Sequence, residues 1–251
     1  MIQRGLGCLP DAPDAKGSHA FDDVCGVAVD YPDSVDLSHL CTPPSDQGNS
    51  NTCYAHAWAN AITQAARRTN PTFERPSQLL IADMTRGMLG QRDVDIGAPL
   101  SVVEIALRIC GFAPESAVPW DESRLFDHIY ADEYQAAIMQ VGLRSHRVLT
   151  NPRASIQAAL SAGRGCVVGM DVDRSFCDWS TDETWGFMQD DVLGGHAMSV
   201  CGHDRDSIQV INSWGEDWGG LGFGWISWDY IESTHCHSVW IVDAAPEYWH
   251  G

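Results

Sequence analysis

The chain has 251 residues and a formal net charge of −19, from 15 basic and 34 acidic side chains. That balance argues against nucleic acid or an anionic membrane as a partner, because both repel an acidic surface. Hydrophobic residues at 44% and charged residues at 20% describe a folded globule, built as one domain or as two lobes sharing a cleft.

The opening MIQRGLGCLPDAPDAKG lacks the apolar core of a secretory leader, and no later run approaches membrane-spanning length. A cytoplasmic protein, or one exported without a leader, is expected. Residues 1–30 are rich in Gly, Pro and Asp and read as an extended N-terminal arm. Residues 31–251 form the main domain, with a helical lobe over about 45–141 and a sheet lobe over about 142–243.

The helical lobe begins at DQGNSNTCYAHAWANAI, residues 46–62. Ala55, Trp58, Ala59, Ile62 and Ala66 recur at helical spacing behind a polar turn, so Cys53 lies at a helix start. The unpaired amides of that end favour a negative charge, so the thiol there is expected to lose its proton easily. SQLLIADMTRGML and PLSVVEIALRIC follow, the second with Pro99 near its first turn and Gly111 past its end. ADEYQAAIMQVG over 131–142 is a further candidate helix, and NPRASIQAALSAG has Asn151 as cap, Pro152 at the first position and Gly163 as stop.

Beyond Gly165 the texture changes to short β-branched or aromatic runs: GCVVGMDV, AMSVCGH, SIQVINSW, FGWISW and SVWIVD. Residues 173–193, acidic and aromatic-bearing, read as a surface excursion. Helices first and strands afterwards predict an α+β fold with the functional cleft between the lobes.

Chemistry then singles out three residues. Cys53 is the candidate nucleophile. His196 follows two glycines and precedes a strand, so another group can approach it closely. Asn212 ends a strand and is followed by Trp214 and Trp218. A Cys, a His and an Asn make the thiol version of a nucleophile, base and orienter, with an indole shielding the His–Asn contact from water. Gln47, six residues before the thiol, supplies an amide donor beside the Cys53 N–H, and the two form an oxyanion hole.

These motifs together resemble the papain-type (C1) cysteine peptidases: Gln47-Gly48 with Cys53, Gly195-His196-Ala197, Asn212-Ser213-Trp214-Gly215, and the WGGLGFGWIS strand. The resemblance runs from about residue 31 to 243. It implies a two-lobed fold with an antiparallel, barrel-like sheet lobe, and peptide hydrolysis through a thioester with no cofactor. It further implies protein or peptide substrates and a monomer. Gly97, Ala98 and Gly195 would line the substrate groove, and Trp214 and Trp218 would shield the triad.

The chain departs from the family at two points. Ser50 stands where the family has a disulfide cysteine, and Tyr54 replaces a tryptophan. Only a short arm precedes the mature-like start, in the manner of bacterial and phage-type members. That arm either threads the cleft as a self-inhibitory gate or packs outside the sheet lobe as scaffold. Other readings of the same motifs are an amidase, deamidase or transglutaminase, and a silent papain-like binding protein. His56, three residues after Cys53, reads as helix-face packing or cleft wall. The residues of HCH at 235–237 alternate faces along a strand and do not converge on a metal.

Overall fold

The computed structural model describes residues 4–13, 15, 31–129, 143–180 and 183–244, so the candidate helix over 131–142 lies outside the described residues. Helix α1 spans Cys53–Arg67, α2 Gln78–Met88, α3 Leu100–Cys110 and α4 Pro152–Ser161. Every α1 residue from Cys53 to Ala66 is buried. The helix tolerates this because its polar side chains find partners. The Thr63 hydroxyl donates to the Ala59 carbonyl at 2.7 Å, and the Gln64 amide to the Arg164 carbonyl at 3.0 Å.

Local chemistry fixes the helix ends. Ser77 accepts the Leu80 N–H at 3.1 Å as the cap of α2. Pro99 leads α3 in an extended conformation, and Gly111 ends it at φ 72°. At α4, Pro152 occupies the first turn as expected, but Asn151 makes no side-chain cap. It sits instead at φ 51°, in the left-handed region that asparagine tolerates better than most residues.

Ten strands are described. They are β1 Cys8–Leu9, β2 Val35–Asp36, β3 Ala98–Pro99, β4 Leu143–Arg147, β5 Gly165–Val172, β6 Thr184–Trp185, β7 Gly194–His203, β8 Ser207–Ile211, β9 Phe223–Ser227 and β10 Cys236–Ala244. The main sheet runs β4-β10-β5-β7-β8-β9-β6, with β2 added to β7, and only β6 and β9 pair in parallel. Strand β4 reads LRSHR and carries one apolar residue. It becomes a strand because β10 offers an edge, with Arg147 opposite Trp240.

The core has two parts, one on each face of the sheet. Val167 points to the α1 side, whereas Cys166, Val168 and Met170 point to the Trp214–Trp218–Trp228 side, as strand alternation requires. Full burial of one such aliphatic side chain stabilises by roughly 1.5–3 kcal/mol. Trp58 of α1 and Trp240 of β10 lie 5.9 Å apart, between the helices and the sheet.

The segment 173–193 is more than a surface excursion: Phe176 and Trp185 are buried in the second core, their rings 4.9 Å apart. The Asp173 carboxylate holds the turn together. It accepts the N–H groups of Phe176, Gln189 and Asp190 and the Ser175 hydroxyl, at 2.6–2.9 Å. The acidic composition hid this role, because an aspartate that organises a turn reads as a solvated charge. Among the described residues no helix is long and apolar enough to cross a membrane.

The described part of the arm does not lie on the outside of the sheet lobe. Residues 4–11 run along the seam between the lobes, where β1 pairs in parallel with β3, Cys8 opposite Ala98.

Candidate active site

Cys53 is the first residue of α1, and β7 crosses that end of the helix. The backbone of Ala197, the residue after His196, and that of Gly7 of the arm lie near enough to its sulfur to favour the thiolate. His196 Nε2 lies 2.7 Å from Asn212 Oδ1. The same Oδ1 accepts the Ser213 N–H at 2.7 Å, which identifies it as the oxygen. Nε2 must therefore carry the proton in the neutral ring, leaving Nδ1 as the unprotonated nitrogen. That Nδ1 is buried with no hydrogen-bond partner among the described residues. Trp214 stacks on the imidazole at 4.2 Å, 26° from parallel. Trp218 stands one layer back, 5.9 Å from Trp214, and donates its indole N–H to the Phe176 carbonyl at 2.9 Å.

Gln47 is fully buried. Its Nε2 donates to the Ser50 carbonyl at 2.6 Å and to the Gly5 carbonyl of the arm at 3.1 Å. Its Oε1 accepts the Ser213 hydroxyl at 2.5 Å. Sequence reasoning missed Ser213. The signal was its place directly after Asn212, where its backbone serves one site residue and its side chain another. Ser50 ties the loop without a disulfide, donating to the Gln47 carbonyl and sharing a hydrogen bond with Thr52 Oγ1, both at 2.7 Å.

The three residues read as groove wall all lie against the arm. The Ala98 N–H donates to the Gly7 carbonyl at 2.8 Å. A Cβ on Gly97 would collide with Gly7, and one on Gly195 with the Cys8 carbonyl. The fit is mutual, since a Cβ on Gly5 or Gly7 would overlap the carbonyl of Ser50 or Asn51. Arg4 donates to the Trp214 carbonyl at 3.2 Å, with its guanidinium 5.0 Å from the indole centre. His56 is wall and packing: its Nδ1 is 2.8 Å from Ser45 Oγ and its ring meets Trp120 edge-on at 4.5 Å.

The electrostatics differ from the expectation of an easily ionised thiol. Burial raises the Cys53 pKa to about 11, outweighing the backbone hydrogen bonds that favour the thiolate. Burial likewise lowers His196 to about 4; its bond to Asn212 opposes the shift, and the nearby Arg4 charge adds to it. With the arm seated, thiol and imidazole are both neutral.

The chain belongs to the papain family of cysteine proteases, whose family model matches residues 31–241. No curated protein matches the sequence. Among solved structures it is similar to xylellain, a cysteine protease from Xylella fastidiosa, at TM-score 0.76 and 23% identity over 98% of both chains. It also resembles the Carica candamarcensis cysteine protease CMS1MS2 in complex with E-64, at TM-score 0.69 and 19% identity over 85% of this chain and 99% of that one. Digestive procathepsin L 3 of the Tenebrio molitor larval midgut follows at TM-score 0.73 and 16% identity, over 96% and 76%. At these identities the likeness establishes the fold, which is papain-like and α+β.

Proposed function

We propose that this protease hydrolyses peptide bonds with Cys53 as nucleophile, His196 as acid and base, Asn212 as orienter, and Gln47 with the Cys53 N–H as oxyanion hole. The carrying observation is the shared Asn212 Oδ1, which leaves His196 Nδ1 as the unprotonated ring nitrogen, free to accept a proton. In the reaction, His196 takes the thiol proton and the sulfur attacks the carbonyl carbon. The developing oxyanion accepts from Gln47 Nε2 and the Cys53 amide. His196 then protonates the leaving amine, and a thioester remains. Water, deprotonated by His196, cleaves the thioester and restores the thiol while the acid product leaves.

The seated arm is an inhibited state of this machinery. The Gly5 carbonyl takes the Gln47 donor that the oxyanion needs, and the backbone of Gly7 lies near enough to the nucleophile to affect its ionisation. Solved proforms of relatives, such as procathepsin L 3 and a ragweed pollen cysteine protease, are in keeping with an N-terminal segment in this role.

Cleavage-site profiling of a peptide library with wild type and Cys53→Ala tests the reading. Cleavage only by wild type is expected. Release of ammonia from glutamine side chains without peptide cleavage would replace it with a deamidase or transglutaminase.

A further inference from the structure

The arm places Asp11 in a buried set of donors beyond the pocket that holds Cys8. One carboxylate oxygen accepts the Ser101 N–H at 2.8 Å, in the first turn of α3. The other accepts the Ser238 hydroxyl at 2.8 Å and the Trp240 indole N–H at 2.9 Å. Arg147 Nε lies 3.6 Å away as an ion pair, while its Nη1 holds the Ala12 and Ala15 carbonyls. Ser238 and Trp240 are two residues apart on β10 and so face the same way. Both are almost wholly buried, Ser238 at 3% and Trp240 at 0%.

A buried donor without a partner is costly, so any chain segment that covers these donors as the arm does is favoured if it brings an acceptor, and most if that acceptor is charged. A second observation lies beside it. His237 sits in the bulge of β10 between Cys236 and Ser238, and neither ring nitrogen has a hydrogen-bond partner among the described residues. Its ring borders Gly169 and Gly195, which also line the Cys8 pocket. Arg147, His237 and Ser238 in addition line a cavity of about 250 Å³, with Glu232 and Thr150 among its other walls. The cluster is therefore adjacent to open space.

We propose that Ser101, Arg147, Ser238 and Trp240 form a carboxylate-binding subsite of the groove. Once the arm is displaced, the subsite holds an acidic side chain of the substrate, three residues from the one filling the Cys8 pocket. The proposal rests on the peptidase reading. The arm fills this subsite in cis with Asp11, so the feature that latches the arm is the feature that selects substrates. The acidic surface elsewhere makes such a site unexpected from the net charge.

The test uses the full chain carrying Asp11→Ala, which empties the site and loosens the arm. A fluorescent peptide of residues 5–13 and its Asp11→Asn version are compared by anisotropy. The acidic peptide should bind about tenfold tighter or more, as expected for a lost hydrogen-bonded charge. Adding Arg147→Gln should remove most of that ratio. If that variant does not fold, Ser238→Ala carries the same test with a smaller effect. In parallel, the Asp11→Ala enzyme should cleave library peptides with an acidic residue at one groove position about tenfold faster in kcat/KM than their amide counterparts. Equal binding of both peptides, or cleavage with no acidic preference, overturns the subsite. If no peptide is cleaved at all, the peptidase reading falls and the binding ratio alone decides the subsite.

Discussion

Ser213 links the two halves of the candidate site. Its N–H fixes the Asn212 carboxamide and its hydroxyl fixes the Gln47 carboxamide, so one residue sets both the His196 tautomer and the orientation of the proposed oxyanion donor. Ser213→Ala should lower kcat by about tenfold with little change in KM, less than the loss of a direct oxyanion donor. Steady-state kinetics check this, and a change confined to KM would refute the positioning role. Alkylation by a haloacetamide orders the reacting residues. Cys53 should label ahead of the other cysteines once the arm is displaced, His196→Ala should slow that labelling, and Asn212→Ala should slow it less. Equal labelling of several thiols would remove Cys53 from the role.

At the scale of elements, the arm and the lobe walls fit without a single spare methyl group. Gly5 and Gly7 lie where any Cβ would strike the loop carbonyls of Ser50 and Asn51. Gly7→Val should therefore expel the arm, raising peptidase activity and Cys53 labelling while the melting temperature moves by only a few degrees. Deletion of residues 2–28 should act in the same direction. Loss of stability and activity together would mean that the arm is scaffold. The loop from Gln47 to Thr52 is held by hydrogen bonds of Ser50, where the resemblance would have a disulfide. Reductant should leave the melting temperature unchanged and preserve activity, because the nucleophile must stay reduced. A large drop in melting temperature would reveal a structural cysteine pair elsewhere.

For the whole molecule, the buried Cys53 and His196 make stability pH-dependent. Burial lowers His196 from its ordinary value of 6.5 to about 4, so the stability this group gives to the fold is complete above 6.5. It is lost progressively as pH falls toward 4. Burial raises Cys53 from 9.0 to about 11, so its contribution is complete below 9.0 and lost as pH rises toward 11. His237, whose pKa burial also lowers, acts in the same direction as His196. The fold should thus gain most from these groups between about pH 6.5 and 9. Melting temperatures of wild type and His196→Ala measured from pH 7 to 4.5 check this: the wild type should lose more stability than the variant as pH falls. Parallel pH profiles for the two would contradict the linkage.

The sequence by itself determined the helix that begins at Cys53, the strand that carries His196, and the join of Asn212 to its tryptophans. Periodicity and glycine placement are local signals, and the spacing of Gln47 from Cys53 survives folding unchanged. It did not reveal strand β4, which exists only because β10 lends it an edge, nor the burial of Phe176 and Trp185 behind an acidic turn. Above all it left the arm's path open, because an extended Gly- and Pro-rich segment has no periodicity to declare a face. Only the tertiary structure brought Asp11 to Ser238 and Trp240, more than two hundred residues away. The same packing set the ionisation of the site. A thiol at a helix start favours its anion by local electrostatics, but desolvation is a property of the assembled fold, and here desolvation is the larger effect.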